Sequence, residues 1–163
     1  MGIVHVYINN FIIKTTLGRT ILVQWDETSP RPYSRLNLIQ GTKGTLAGFP
    51  TRIALEESDH HHWIEDEALM PYYEKYDHPL WKRIGEEAKK AGGHGGADYV
   101  MRFRIFECLK NGIPLDQNVY EGALWSVVGP LSEKSVQEGG MPQKFPDFTR
   151  GEWRNTKPLE IVS

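Results

Sequence analysis

Arg19-Thr20-Ile21-Leu22-Val23-Gln24-Trp25-Asp26-Glu27 alternates so that Ile21, Val23 and Trp25 fall on one face and Gln24 and Asp26 on the other. A period of two with β-branched and aromatic residues predicts a strand of an antiparallel sheet with one face buried. Leu17-Gly18 closes a hairpin back onto the Ile-, Val- and Tyr-rich runs 3–8 and 11–16, with Gly18 at the positive-φ position. Downstream, Ser29-Pro30-Arg31-Pro32 interrupts regular structure, because proline lacks an N–H and forces its neighbour to be extended. Further strands are expected over 34–40, 45–49 and 51–56, with a tight turn at Gly41-Thr42-Lys43-Gly44. A polar excursion, 57–67, contains His60-His61-His62, and beyond it the period becomes helical. Pro79 starts a helix with Leu80, Ile84 and Ala88 on one stripe, Lys89 and Lys90 in its last turn and Gly92 beyond it. A second runs from about Gly96 to Asn111, burying Val100, Phe103, Phe106 and Leu109. A third starts from an Asp116 cap, with Tyr120, Ala123, Leu124, Val127, Val128 and Leu131 inward and a kink at Gly129-Pro130. From Gly139 the chain is Pro- and Gly-rich and irregular. Strands followed by helices give an α+β chain: one domain over 1–163, an open, mostly antiparallel β-sheet packed by helices.

The composition fits that architecture. The chain has 163 residues, 39% hydrophobic and 25% charged, which suits one globular domain and excludes disordered or collagen-like classes. Nineteen basic against twenty-one acidic side chains leave no cationic stripe, so no nucleic-acid partner is expected. The apolar N-terminal run, Ile3 to Ile8, lacks a basic flank and a cleavage site and is far shorter than a membrane helix; no membrane association is expected, and localisation is unassigned. Gly2 lacks the Ser or Thr at position 6 that myristoylation requires, since Val6 stands there. Cys108 is the single cysteine, excluding an internal disulfide; it is expected to be a buried thiol.

Two runs stand out for chemistry. Gly92-Gly93-His94-Gly95-Gly96 surrounds one imidazole with residues lacking Cβ, so a ligand can approach the backbone closely. Histidine is the side chain best suited to exchanging one proton per cycle near neutrality. The alternative is a flexible linker between helices with an exposed histidine. The run is not a dinucleotide fingerprint, since the spacing differs and a helix precedes it. In Ser29-Pro30-Arg31-Pro32-Tyr33-Ser34-Arg35 a rigid loop could present Arg31 to an anion and Tyr33 to a hydroxyl, or merely pack a tyrosine over a turn. The triple histidine lacks the i, i+4 spacing of a helical zinc pair, and no metal site is assigned; Glu65, Asp66 and Glu67 read as a solvated acidic face. No Gly-x-Ser-x-Gly elbow is present, and spacing selects no pair of hydrolytic carboxylates.

Thr28-Ser29-Pro30-Arg31-Pro32-Tyr33-Ser34-Arg35, Leu38-Ile39-Gln40-Gly41-Thr42, Tyr76-Asp77-His78-Pro79-Leu80-Trp81-Lys82 and the Gly92–Gly96 loop are four of seven runs with one resemblance. The others are Gly112-Ile113-Pro114-Leu115-Asp116, Trp125-Ser126-Val127-Val128-Gly129-Pro130-Leu131-Ser132 and Pro146-Asp147-Phe148-Thr149-Arg150-Gly151. In this order they resemble the C-terminal part of NAD-dependent α-N-acetylgalactosaminidases of the Gfo/Idh/MocA group, from about Lys14 onward. The resemblance implies a C-terminal sheet domain whose N-terminal Rossmann domain is absent from this chain. It implies cleavage by transient C3 oxidation of the sugar, elimination across C1–C2, hydration and reduction, with NAD as the cofactor of the full-length family. None is expected to bind this chain alone. It assigns the acid/base at the glycosidic oxygen to His94, in the loop of Gly92, Gly93, Gly95 and Gly96, and a substrate contact to Tyr33, beside Arg31. Residues 1–13 and 57–75 depart from the family pattern. The expected partner is an N-acetylgalactosaminyl glycan in the full enzyme, and the chain alone is expected to be inactive. The alternatives are a non-catalytic module forming homo-oligomers through the sheet, and the C-terminal domain of a sugar dehydrogenase of the same superfamily.

Overall fold

The computed structural model describes residues 8–58 and 61–161, which fall into two units that divide after Asp66. The first unit is all β. Strands β1 (Ile8–Lys14) and β2 (Thr20–Asp26) form an antiparallel hairpin in the register Ile8↔Asp26 to Lys14↔Thr20. Among the described residues β1 runs through Asn9 and Asn10, which were expected to separate two strands; both pair with β2, and Gln24 Nε2 donates to Asn10 Oδ1 at 2.9 Å. The expected strand over 3–8 otherwise lies outside the described residues. A second sheet is a meander of β3 (Asn37–Gly41), β4 (Gly44–Gly48), β5 (Arg52–Leu55) and β6 (Ile64–Glu65), every neighbouring pair antiparallel. β6 is a correction to the polar excursion expected over 57–67: Ile64 pairs with Ile53 and Glu65 with Arg52. The expected one-sided burial is also modified. Ala47 is the one buried apolar residue on the described strands, while Ile12, Leu22, Leu38, Ile39 and Trp25 are exposed.

The second unit is helical. α1 (Met70–Tyr76), a helix that periodicity did not mark, has proline in its first turn. α2 (Pro79–Ala91) begins as expected at Pro79, and His78 caps it by accepting from Leu80 N–H through Nδ1 at 3.1 Å. Leu80, Ile84 and Ala88 form its buried stripe, packed against α3 (Ala97–Asn111), whose Cys108 is fully buried. Phe106 and Leu109, expected inward, are exposed. The reason is helical phase: Val100, Arg104 and Cys108 recur every four residues on the covered face, and Phe106 and Leu109 lie roughly 160° and 140° around from its centre. The third expected helix is two, α4 (Val119–Ser126) and α5 (Val128–Gln137), which meet at Val127. Pro130 thus falls in the first turn of α5, where its missing N–H costs nothing. The cap of α4 is Asn118 rather than Asp116: Asn118 Oδ1 accepts from Tyr120 and Glu121 N–H, and Glu121 Oε2 in turn accepts from Asn118 N–H. Asp116 is instead committed to Arg104.

Candidate functional site

The glycine loop joins α2 to α3, and its backbone is unusual for five residues in succession. Gly92, Gly93, His94, Gly95 and Gly96 all have positive φ, at 74°, 74°, 48°, 70° and 99°. Four are glycines, which adopt this region without penalty; His94 is the one side chain held there. Gly96 is also required for contact, since a Cβ would stand 2.8 Å from the carbonyl carbon of Ala88 and 2.9 Å from its oxygen. The loop therefore lies directly on α2. Residues 94–96 form a 3-10 turn that leads into α3.

His94 points away from the protein interior and is 80% exposed at its side chain. Its Nδ1 lies 3.0 and 3.1 Å from the two carboxylate oxygens of Asp98, in the first turn of α3. Asp98 is the residue that motif reading missed. Behind the loop, α2 and α3 are braced by charge. Arg104 donates from Nε and Nη2 to the two oxygens of Asp116, each at 2.8 Å, and from Nη1 to Glu107 at 2.8 Å; Arg83 donates to Glu107 at 2.7 Å. The bidentate bonds to Asp116, then the bond to Glu107, hold the Arg104 guanidinium still more firmly protonated than usual. Reciprocally, the hydrogen bonds from Arg104 push Asp116 and Glu107 below the ordinary carboxylate range.

Arg31 and Tyr33 belong to the first unit. Arg31 Nη2 donates to Asp26 Oδ2 and, at 3.1 Å, to Gln24 Oε1, so that guanidinium nitrogen is engaged by the end of β2. Asp26 also accepts from Ser29 and Thr28 N–H at 3.0 Å each; these bonds, with Arg31, hold its carboxyl at about 2. Tyr33 packs edge-on against Phe49, ring centroids 5.8 Å apart, and its hydroxyl accepts from Arg35 Nε at 2.8 Å. With 73% of its surface exposed, the ring both packs and remains open to a ligand. His61 and His62 line a hollow with Trp63, Leu38, Gln40, Thr45 and Ala54, while His60 lies outside the described residues. Among the described residues no group of three His, Cys, Asp or Glu side chains is placed to hold a metal, and no helix is long and apolar enough to cross a membrane.

Residues 5–155 match the family described as Glycosyl hydrolase 109, C-terminal domain. The chain belongs to glycosyl hydrolase family 109. It is 71% identical over 158 residues to glycosyl hydrolase family 109 protein 1 of Akkermansia muciniphila, covering 94% of this chain and 33% of that protein. Protein 2 of the same organism is 67% identical over 159 residues, covering 95% and 34%. A glycosyl hydrolase family 109 protein of Shewanella amazonensis is 57% identical over 157 residues, covering 94% and 34%. The chain thus spans about a third of the length of these relatives and corresponds to the C-terminal domain of the family. Its α+β fold, with open antiparallel sheets, agrees with the C-terminal domain of the Gfo/Idh/MocA group. NAD does not fit the described residues as a dinucleotide site. The strands are antiparallel, and the glycine loop follows helix α2, whereas a pyrophosphate cradle needs a strand running into a glycine turn and a helix. No redox step is assigned to this chain.

Proposed function

We propose that this chain is the substrate-facing and assembly domain of a glycosidase that acts on terminal N-acetylgalactosamine by transient C3 oxidation, elimination and hydration. The redox half of that chemistry lies outside the described residues. Within them, His94 is the acid/base at the glycosidic oxygen: it delivers a proton as the C1–O bond breaks and takes one from water in the return step. Tyr33, with its exposed ring and hydroxyl, is the substrate contact, and Arg31 shapes the loop that carries it. One observation carries the proposal: an exposed imidazole held at positive φ on a glycine loop that packs on a helix, in a chain of this glycosidase family. Such a loop presents a proton-transferring group to a ligand without a neighbouring Cβ in the way.

The test is a chimera in which this chain replaces the matching third of the Akkermansia protein 1. It should turn over a chromogenic α-N-acetylgalactosaminide in an NAD-dependent way, and His94→Ala should abolish most of that turnover. The 163-residue chain alone should neither bind NAD nor release the chromophore; turnover by the chain alone, or full activity of the His94→Ala chimera, contradicts the proposal.

The exposed apolar residues of β3, Leu38 at 56% and Ile39 at 67%, support a second role in the same protein, self-association through the sheet. Light scattering on the purified chain tests it: a dimer or larger species is expected, and a strict monomer counts against it.

A further inference from the structure

The motif singles out His94 but leaves open which ring nitrogen works and what holds it. The structure assigns Asp98 as the positioning residue of His94: its carboxylate accepts from Nδ1–H, fixes the ring and its tautomer, and leaves Nε2 as the nitrogen that exchanges the proton. This rests on the acid/base role of His94 proposed above, and adds the residue through which the histidine is made ready.

Three features of the loop converge on it. Both Asp98 oxygens lie within hydrogen-bond distance of Nδ1, at 3.0 and 3.1 Å. An ionised carboxylate only accepts, so the proton between them sits on Nδ1, and in the neutral ring Nε2 then carries the lone pair. The second feature is the space the carboxylate fills. A Cβ at residue 93 would stand 2.8 Å from Asp98 Oδ2 and 3.1 Å from Asp98 Cβ. Gly93 is therefore needed both for its φ of +74° and to let the carboxylate reach the ring. The third is anchorage. Asp98 lies in the first turn of a 15-residue helix, where the N-terminal partial charge favours a carboxylate, and its partner sits on the loop just before. A rigid element thus holds the acceptor, and the acceptor holds a ring that the glycines would otherwise leave free to rotate.

The experiment reads the tautomer directly. Imidazole 15N spectra of the 163-residue chain, recorded above the titration of the ring and assigned by the signal lost in His94→Gln, should show protonated Nδ1 and unprotonated Nε2. In Asp98→Ala, with α3 verified by circular dichroism, the ring should turn mainly to the Nε2–H form of a free imidazole. A wild-type ring protonated at Nε2 overturns the assignment, and needs no variant to fold. In the chimera, Asp98→Ala should lower kcat about ten- to a hundred-fold with KM unchanged within about two-fold. A KM rise with kcat preserved overturns the positioning role. Finding the Nδ1–H ring in a chimera indifferent to His94→Ala would overturn the acid/base role instead, so the two failures are distinguishable.

Discussion

The loop 29–35 and the loop 92–96 each carry a cationic or protonatable side chain bound to a nearby aspartate, and the two carboxylates are used differently. In the first, Asp26 comes from the preceding strand and gathers Thr28, Ser29 and Arg31 onto one carboxylate. Arg31 is thereby tied to the end of β2 through one nitrogen, while its side chain, 41% exposed, and the Tyr33 ring both stay open to solvent. In the second, Asp98 comes from the following helix and touches one ring nitrogen of His94, whose side chain is 80% exposed. A carboxylate partner alone does not mark a working residue.

That contrast can be broken from either side. The largest effect is expected at the second loop, where His94→Ala should cost about 10²–10⁴-fold in kcat of the chimera, as for a lost general acid. Gly96→Ala comes next. A methyl group 2.8 Å from the Ala88 carbonyl carbon, at a φ of +99°, should lower chain stability by about 2–3 kcal/mol, measured by urea unfolding, and an unchanged midpoint would show that the loop does not pack on α2. Arg104→Met, which removes the bidentate bonds to Asp116, should cost about 1–2 kcal/mol by the same measurement, since the partners are part-exposed and screened.

The first loop yields smaller effects with a clear pH sign. Asp26 titrates lower in the folded chain, about 2, than its ordinary value of 3.8. Its stabilising contribution is therefore complete above the ordinary value and is lost as pH falls through about 2. The difference in melting temperature between wild type and Asp26→Asn should be largest near neutrality, narrow below pH 3.8 and close at about pH 2. Tyr33→Phe, which keeps the packing on Phe49 and removes only the hydroxyl, should raise KM a few-fold and leave stability unchanged within about 0.5 kcal/mol.

The elements that could be read in the sequence were those fixed by local chemistry. The Leu80, Ile84, Ala88 stripe, the Gly41–Gly44 turn and the end of the second helix at Asn111 all follow from short-range rules, and each stands as expected. The start of α4 did not, because Asp116 and Asn118 are both good caps, and only the distant Arg104 removes Asp116 from the competition. Phe106 and Leu109 were misplaced because apolar character was taken as burial, while the covered face of α3 is set by Val100, Arg104 and Cys108 around the ion pair. The pairing of β6 with β5 depends on a contact across the histidine segment that no local pattern records. His94 was visible from the glycines around it. Asp98 was not, since a lone aspartate at a helix start is common, and only the structure shows it bonded to the ring.

The central claim is that His94 exchanges a proton with the glycosidic oxygen. It is tested most directly by comparing wild-type and His94→Ala chimeras on two α-N-acetylgalactosaminides, one with an acidic nitrophenol leaving group and one with an alkyl alcohol. A poor leaving group depends on the proton more than a good one, whereas the proton taken from water in the return step is needed for both. The account predicts that the loss in kcat/KM is at least about ten-fold greater for the alkyl glycoside; equal losses on both substrates would contradict it.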